Sequence, residues 1–181
     1  MPIEFETRPK IDSVQSEYVP FLLLTKREQQ VLQCKANGFG NEEIAKILGI
    51  AKNTVEAHVH SIANIALEGG SGFARNHEYP NQTRITFIGL IQDGIANGYL
   101  SHDLTDLQIQ PLTKRENEVV ELVLAIGKSH QDIADYFVLS VKTVETHINH
   151  IHKKLKTRNI YHLVARLTYL KLNSLWPEPM D

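Results

Sequence analysis

Leu112-Thr113-Lys114-Arg115-Glu116 repeats Leu24-Thr25-Lys26-Arg27-Glu28 at a shift of 88 residues, and the echo continues well past those five positions. After one extra residue in the second copy the shift becomes 89. Gly38 then pairs with Gly127, Ile44-Ala45 with Ile133-Ala134, Thr54-Val55-Glu56 with Thr143-Val144-Glu145, and His58 with His147. An ordered series of matches with a single indel is the mark of one unit written twice.

Each copy opens with Thr-x-x-Glu, in which the threonine caps a helix and the glutamate reaches back to the cap's own amide. Val119, Leu122, Val123 and Ile126 then follow at helical spacing up to Gly127, as Val31 and Leu32 do before Gly38. The pattern predicts first helices of about 13 residues. A short helix (41–48; 129–137), a tight turn (49–51; 138–140) and a longer helix (52–66; 141–155) come next, the helix-turn-helix order whose second helix enters the DNA major groove.

The residues resemble the LuxR/GerE-type DNA-binding domain of bacterial transcription regulators. Leu112 to Glu116, Glu118-Val119, Gly127, Ile133-Ala134, Ser140, Lys142-Thr143-Val144, Thr146-His147, Ile151, Lys154-Leu155 and Arg158-Asn159 carry the likeness, which spans Leu112 to about Leu170. The first copy matches from Leu24 to Ile62 and then departs, with Ala63-Asn64-Ile65-Ala66 in place of His152-Lys153-Lys154-Leu155, followed by Glu68-Gly69-Gly70-Ser71-Gly72. The resemblance implies an all-α chain of two tandem four-helix helix-turn-helix domains, in which the fourth helix often mediates dimerisation. The expected organisation is an N-terminal arm at 1–20 and a first domain at 21–100 with an inserted loop at 68–82. A linker at 101–111, a second domain at 112–172 and a tail at 173–181 complete it. Asn81-Gln82-Thr83 reads as the cap of the first copy's fourth helix, with Gly98 as its stop.

Composition at first argues against a nucleic-acid partner. The 181 residues hold 19 Lys+Arg against 21 Asp+Glu, a formal charge of -2, with 42% apolar and 22% charged residues. That is ordinary globular usage, but the charge is not evenly spread. From Ser140 to Arg158, Lys142, Lys153, Lys154, Lys156 and Arg158 face Glu145 alone, a net +4; from Ala51 to Glu68, Lys52 faces Glu56 and Glu68, a net -1. Phosphate contacts dominate DNA affinity, so the second copy has the stronger footprint. The competing account is a lysine-rich helix end that complements the helix dipole.

By the resemblance, Glu145, Thr146 and Asn149 are the base readers, and Lys142, Thr143, Lys153, Lys154 and Arg158 hold phosphate. Their chemistry suits the task, since Asn pairs with adenine, Glu accepts from cytosine and a Thr methyl touches thymine. Lys52, Thr54, Glu56 and His60 are the corresponding weak contacts of the first copy. The alternative function is a regulator that pairs with another transcription factor without binding DNA itself.

The fourth helices bear on assembly. Ile160, Leu163, Val164, Leu167 and Leu170 fill one face of the last helix, and Tyr161, Ala165, Tyr169 and Leu172 supply a second. The helix from Thr83 to Asn97 has Ile85, Ile88, Ile91 and Ile95 on one face, with Gly89 and Gly94 permitting close approach. Ile88, Ile91, Tyr161, Ala165, Tyr169 and Leu172 are therefore expected at a dimer or inter-domain contact, in a homodimer or an internal pseudo-dimer. The unequal charge favours two chains meeting to supply two C-terminal readers.

Cys34 stands alone, without disulfide or zinc-finger spacing. Of the nine histidines, His147, His150 and His152 invite a metal site, but by the resemblance His58 and His147 are structural, and the remaining ones add positive charge below about pH 6.5. No cofactor, metal or catalytic arrangement is expected, and no membrane span or signal peptide is legible. Double-stranded DNA is the expected partner, with RNA polymerase or another regulator as further candidates, in the cytoplasm at the nucleoid. Two units of about 65 residues leave about 50, below the usual size of a folded domain, so no receiver or sensing domain is expected. The arm is expected to pack Ile3 and Phe5 onto a neighbour, and Trp176 to cap its own domain.

Overall fold

Thr25 and Thr113 hold the helix starts that the sequence predicts. The Thr25 amide donates to Glu28 Oε2 at 2.8 Å while the Glu28 amide donates to Thr25 Oγ1 at 3.3 Å, and Thr113 and Glu116 repeat both bonds at the same distances. Each such cap is worth about 1 kcal/mol. Both glutamates are buried, at 5% and 3% exposure, so each also faces the helix packed above it.

The computed structural model describes residues 20–68, 82–102, 109–126 and 129–176, and every regular element among them is an α-helix. In chain order these are α1 (Pro20–Leu23), α2 (Lys26–Ala36), α3 (Asn41–Leu48), α4 (Lys52–Glu68), α5 (Gln82–Ala96), α6 (Lys114–Ile126), α7 (His130–Phe137), α8 (Val141–Lys154) and α9 (Ile160–Leu172). The arm with Ile3 and Phe5, the greater part of the inserted loop, Gly127 and the last five residues lie outside the described residues.

Within each half the first helix and the short helix pack on the long one. Val31, Leu32, Ile44, Val55 and Ile62 are wholly buried in the first half, as Val119, Val120, Ile133, Val144 and Leu155 are in the second. Burying one such side chain is worth about 1.5 to 3 kcal/mol. The turns between short and long helix differ in chemistry. Gly49 occupies the left-handed region at φ 64°, which costs glycine nothing, whereas Val138 takes the same conformation at φ 54° with its side chain 91% exposed.

The fourth helices meet inside the chain. α9 lies along α5 and reaches α2, and a single hydrophobic cluster runs from Phe21 through Ile88 and Ile91 to Val164, Ala165 and Leu167. The sequence reading favours pairing between chains; the structure makes the pairing within one, because α5 offers Ile88, Ile91 and Ile95 to the second apolar face of α9. Tyr161 and Tyr169 are half-buried there, and Leu172, 57% exposed, lines a surface pocket with Gln92, Asp93 and Ala96 of α5. Of the two α5 glycines only Gly94 has a close neighbour, since a Cβ there would lie 2.7 Å from Leu100 Cδ1, while nothing comes within 4 Å of one at Gly89.

Asn159 ties the halves together at the start of α9. Its Oδ1 accepts from the Tyr161 and His162 amides at 3.1 Å, capping the helix, while its Nδ2 donates to the Gly38 carbonyl at 2.9 Å. Gly38 sits at φ 84°, and a Cβ added there would lie 2.9 Å from His162. Trp176 packs against the core, with Lys171 Nζ 5.9 Å from its ring centre.

Candidate nucleic-acid interface

Ser140 starts α8: its hydroxyl accepts from the Thr143 amide at 3.0 Å and shares a 2.8 Å hydrogen bond with the Thr143 hydroxyl. Val144, Ile148 and Ile151 then turn one stripe of the helix into the core, so helical geometry turns Lys142, Thr146, Asn149, His150 and Lys153 outward, all exposed. Thr143 and Glu145 are half-buried at the margin. The Thr146 hydroxyl donates to the Lys142 carbonyl at 2.9 Å.

The five cations of this region are not alike. Lys142 is 3.3 Å from Glu145, a water-exposed pair that rearranges easily. Lys153 and Lys156 are exposed. Lys154 turns inward, its side chain 20% exposed and its Nζ 2.7 Å from Glu116 Oε2. Arg158 leans across to the first half, 3.4 Å from Glu43 Oε1 and 5.2 Å over the ring of Phe39. Lys154 and Arg158 thus have intramolecular partners that spacing does not reveal, because those partners lie 38 and 115 residues away.

Glu116 explains the inward turn. Burial works to raise its pKa, but the Lys154 ammonium and the Thr113 amide and hydroxyl outweigh burial and hold it below the usual carboxylate value. In the first half the equivalent Glu28 has no lysine partner and is held by the Ser61 hydroxyl at 2.6 Å and by Thr25, with His58 nearby.

The first half presents a different face. Lys52, Thr54, Ala57 and His60 are exposed on α4 and Glu56 is half-buried, but Lys52 is 3.2 Å from Glu42. Nothing on the described part of α4 replaces Lys153.

Two histidines depart from the acid-charging expectation. Burial pushes His152 down, and its Nδ1 bonds the Thr157 hydroxyl at 2.7 Å. Burial, with His102, Arg166, Arg158 and His152 nearby, pushes His162 down to about 4. Among the described residues no group of three or more His, Cys, Asp or Glu is placed to hold a metal ion, and no helix is long and apolar enough to cross a membrane.

The family model described as bacterial regulatory proteins, luxR family, matches residues 22–64 and 110–167, together more than half of the chain. The oxygen regulatory protein NreC of Staphylococcus epidermidis is 44% identical over 55 residues, covering 30% of this chain and 25% of that protein. The uncharacterized response regulatory protein YgeK of Escherichia coli is 37% identical over 82 residues, covering 40% and 55%. NreC of Staphylococcus aureus is 44% identical over 50 residues, covering 27% and 23%. The chain thus spans between about a quarter and about half the length of these curated relatives. No solved structure matches it. With helix-turn-helix geometry in both matched segments and a capped, cation-bearing α8 in the second, the chain belongs to the luxR family of bacterial regulatory proteins.

Proposed function

We propose that the chain is a sequence-specific DNA-binding transcription regulator, not an enzyme, that reads double-stranded DNA mainly through α8 in the cytoplasm at the nucleoid. The observation that carries this reading is the outward face of α8, where Asn149 and Thr146 stand exposed between Lys142 and Lys153. Family membership supports it independently. Glu145, Thr146 and Asn149 are the base readers, each good contact adding roughly 1 to 3 kcal/mol of discrimination. Lys142, Thr143 and Lys153 hold phosphate directly. Arg158, in an exposed pair with Glu43, exchanges that carboxylate for phosphate, whereas Lys154 contributes mainly by shaping the surface, since the buried Glu116 holds it.

The first half serves as a degenerate reader and assembly module. Lys52, Thr54, Glu56 and His60 touch DNA weakly, because α4 has Asn64 where α8 has the exposed Lys153. RNA polymerase or another regulator is the expected protein partner at a promoter.

Enrichment of random duplexes followed by a salt titration tests the reading. A preferred sequence should emerge, with log affinity falling by roughly 0.9 per phosphate contact against log salt. Asn149→Ala should relax base preference at one position. A gel shift absent from every enriched duplex at low salt would overturn DNA binding and favour the regulator that acts by protein pairing alone.

A further inference from the structure

We infer that this chain takes its operator as a monomer, as an internally paired dimer whose two reading heads are unequal, and that its preferred site is therefore asymmetric. The stoichiometry rests on the α5–α9 packing alone. The asymmetry of the site also rests on DNA reading by α8.

The two fourth helices end alike at a shift of 76: Asn97 and Asn173 each donate a side-chain amide to the carbonyl four residues earlier, and Gly98 and Ser174 take positive φ of 72° and 54°. Between them the rings of Phe87 and Tyr161 meet with centroids 5.7 Å apart, and Ile91 and Ala165 are both fully buried in the same cluster. A face that would join two chains is thus already closed by the chain's own second copy.

Among the described residues, little of this face is left over for a second chain. On α9, Val164, Ala165 and Leu167 are wholly buried, and the large exposed apolar side chain is Leu172. The other large exposed apolar residues described, Leu22, Leu23, Ile47, Tyr136, Val138 and Leu175, lie outside α5 and α9. Tethering strengthens the argument, because a short linker presents the internal partner at an effective concentration of roughly millimolar, above any micromolar competitor.

The two heads of this internal pair differ in charge. Lys142 and Lys52 each sit in an exposed pair, with Glu145 at 3.3 Å and Glu42 at 3.2 Å, and the difference lies at Lys153, exposed on α8 where α4 has Asn64. A symmetric pair of chains asks for a palindrome with half-sites about one helical turn apart. One strong and one weak head ask instead for a single specified half-site beside a segment of loose sequence requirement.

The mass of the free chain and of its DNA complex, measured by light scattering or sedimentation across the micromolar range, tests this directly. The expected results are a free mass of 20.5 kDa, one chain per duplex, and an enriched site without a palindrome. A free or bound species of twice that mass, or an enriched palindrome filled by two chains, would overturn the inference. Should no duplex bind, DNA reading fails, and the free mass alone still decides the pairing: a monomer upholds it and a dimer refutes it.

Discussion

Lys154 Nζ lies 2.7 Å from Oε2 of Glu116, a side chain only 4% exposed, and this pair fastens the last turn of α8 to the capping box that starts α6. The neighbouring Lys153 points to water. Two adjacent lysines of one basic run therefore have different work.

Lys154→Ala should leave the Glu116 carboxylate buried without its cation and lower folding stability by roughly 2 to 4 kcal/mol. Lys153→Ala should leave stability within about 0.5 kcal/mol of wild type and flatten the salt slope of DNA binding by roughly 1. Urea titration and salt-dependent gel shifts measured on both variants separate the two roles. If both lysines behaved alike in both assays, the division of labour drawn from the pair would be wrong.

The same carboxylate sets an acid limit. Its folded pKa is lowered, so its contribution to stability is complete above the ordinary carboxylate range and is lost as pH falls below that range. Lys154→Ala should weaken this acid dependence, which pH-resolved urea midpoints will show.

His162 acts at milder pH. Its folded pKa, about 4, lies below its ordinary 6.5, so between those values the folded state binds fewer protons than the unfolded chain. Stability is then complete above pH 6.5 and declines toward pH 4, by at most roughly 3 kcal/mol from this one group. The groups that face it are His102 from the segment after α5, Arg158 and Arg166 flanking it in its own half, and His152 from α8. Protonation adds a charge among cations at the joint between the halves. His162→Gln should remove most of the stability difference between pH 7 and pH 5; an unchanged difference would assign the dependence elsewhere.

Much of the fold was legible because its signals are local. Thr25-x-x-Glu28 and Thr113-x-x-Glu116 mark helix starts within one turn, and Gly38, Gly49 and Gly98 mark stops with positive φ of 84°, 64° and 72°. The readers on α8 came from the family resemblance, and the burial of Val144, Ile148 and Ile151 accounts for the outward turn of Thr146 and Asn149. What local pattern could not carry were partners distant in sequence: Glu116 for Lys154, Glu43 for Arg158, Gly38 for Asn159. A count of +4 treats those cations as equal, whereas folding ties Lys154 and Arg158 to carboxylates far away in sequence. The second apolar face of α9 was visible in the sequence, but whether α5 of the same chain or another chain covers it depends on packing that periodicity does not encode.

Val138 offers a test of local strain. It holds the left-handed conformation that Gly49 holds in the first half, and for a residue with a Cβ that conformation costs roughly 1 to 2 kcal/mol. Its side chain is 91% exposed, so removing it sacrifices almost no packing. Val138→Gly should therefore stabilise the chain by up to about 1 kcal/mol once the added chain entropy of glycine is subtracted. The reciprocal Gly49→Val should destabilise by about 1 kcal/mol or more through backbone strain alone, since nothing within 4 Å would meet an added Cβ. Thermal denaturation of both variants checks the pair, and a destabilised Val138→Gly would mean that the valine side chain has a contact of its own.

Asn159 combines two functions that one substitution can separate. Its Oδ1 caps α9 through the Tyr161 and His162 amides, and its Nδ2 reaches the Gly38 carbonyl in the first half. Asn159→Asp keeps an acceptor at the N-cap, where a carboxylate suits the helix dipole, but replaces the donor with an oxygen facing a carbonyl. Asn159→Ala removes both. Hydrogen exchange should find the Tyr161 and His162 amides protected in Asn159→Asp and fast in Asn159→Ala. Both variants should lose about 1 kcal/mol for the broken bond to Gly38, with Asn159→Ala losing roughly 1 kcal/mol more for the cap. Were Asn159→Asp as stable as wild type, the bond to Gly38 would contribute nothing and the joint would rest on its other contacts, the packing of α9 on α5 and α2 and the Arg158–Glu43 pair.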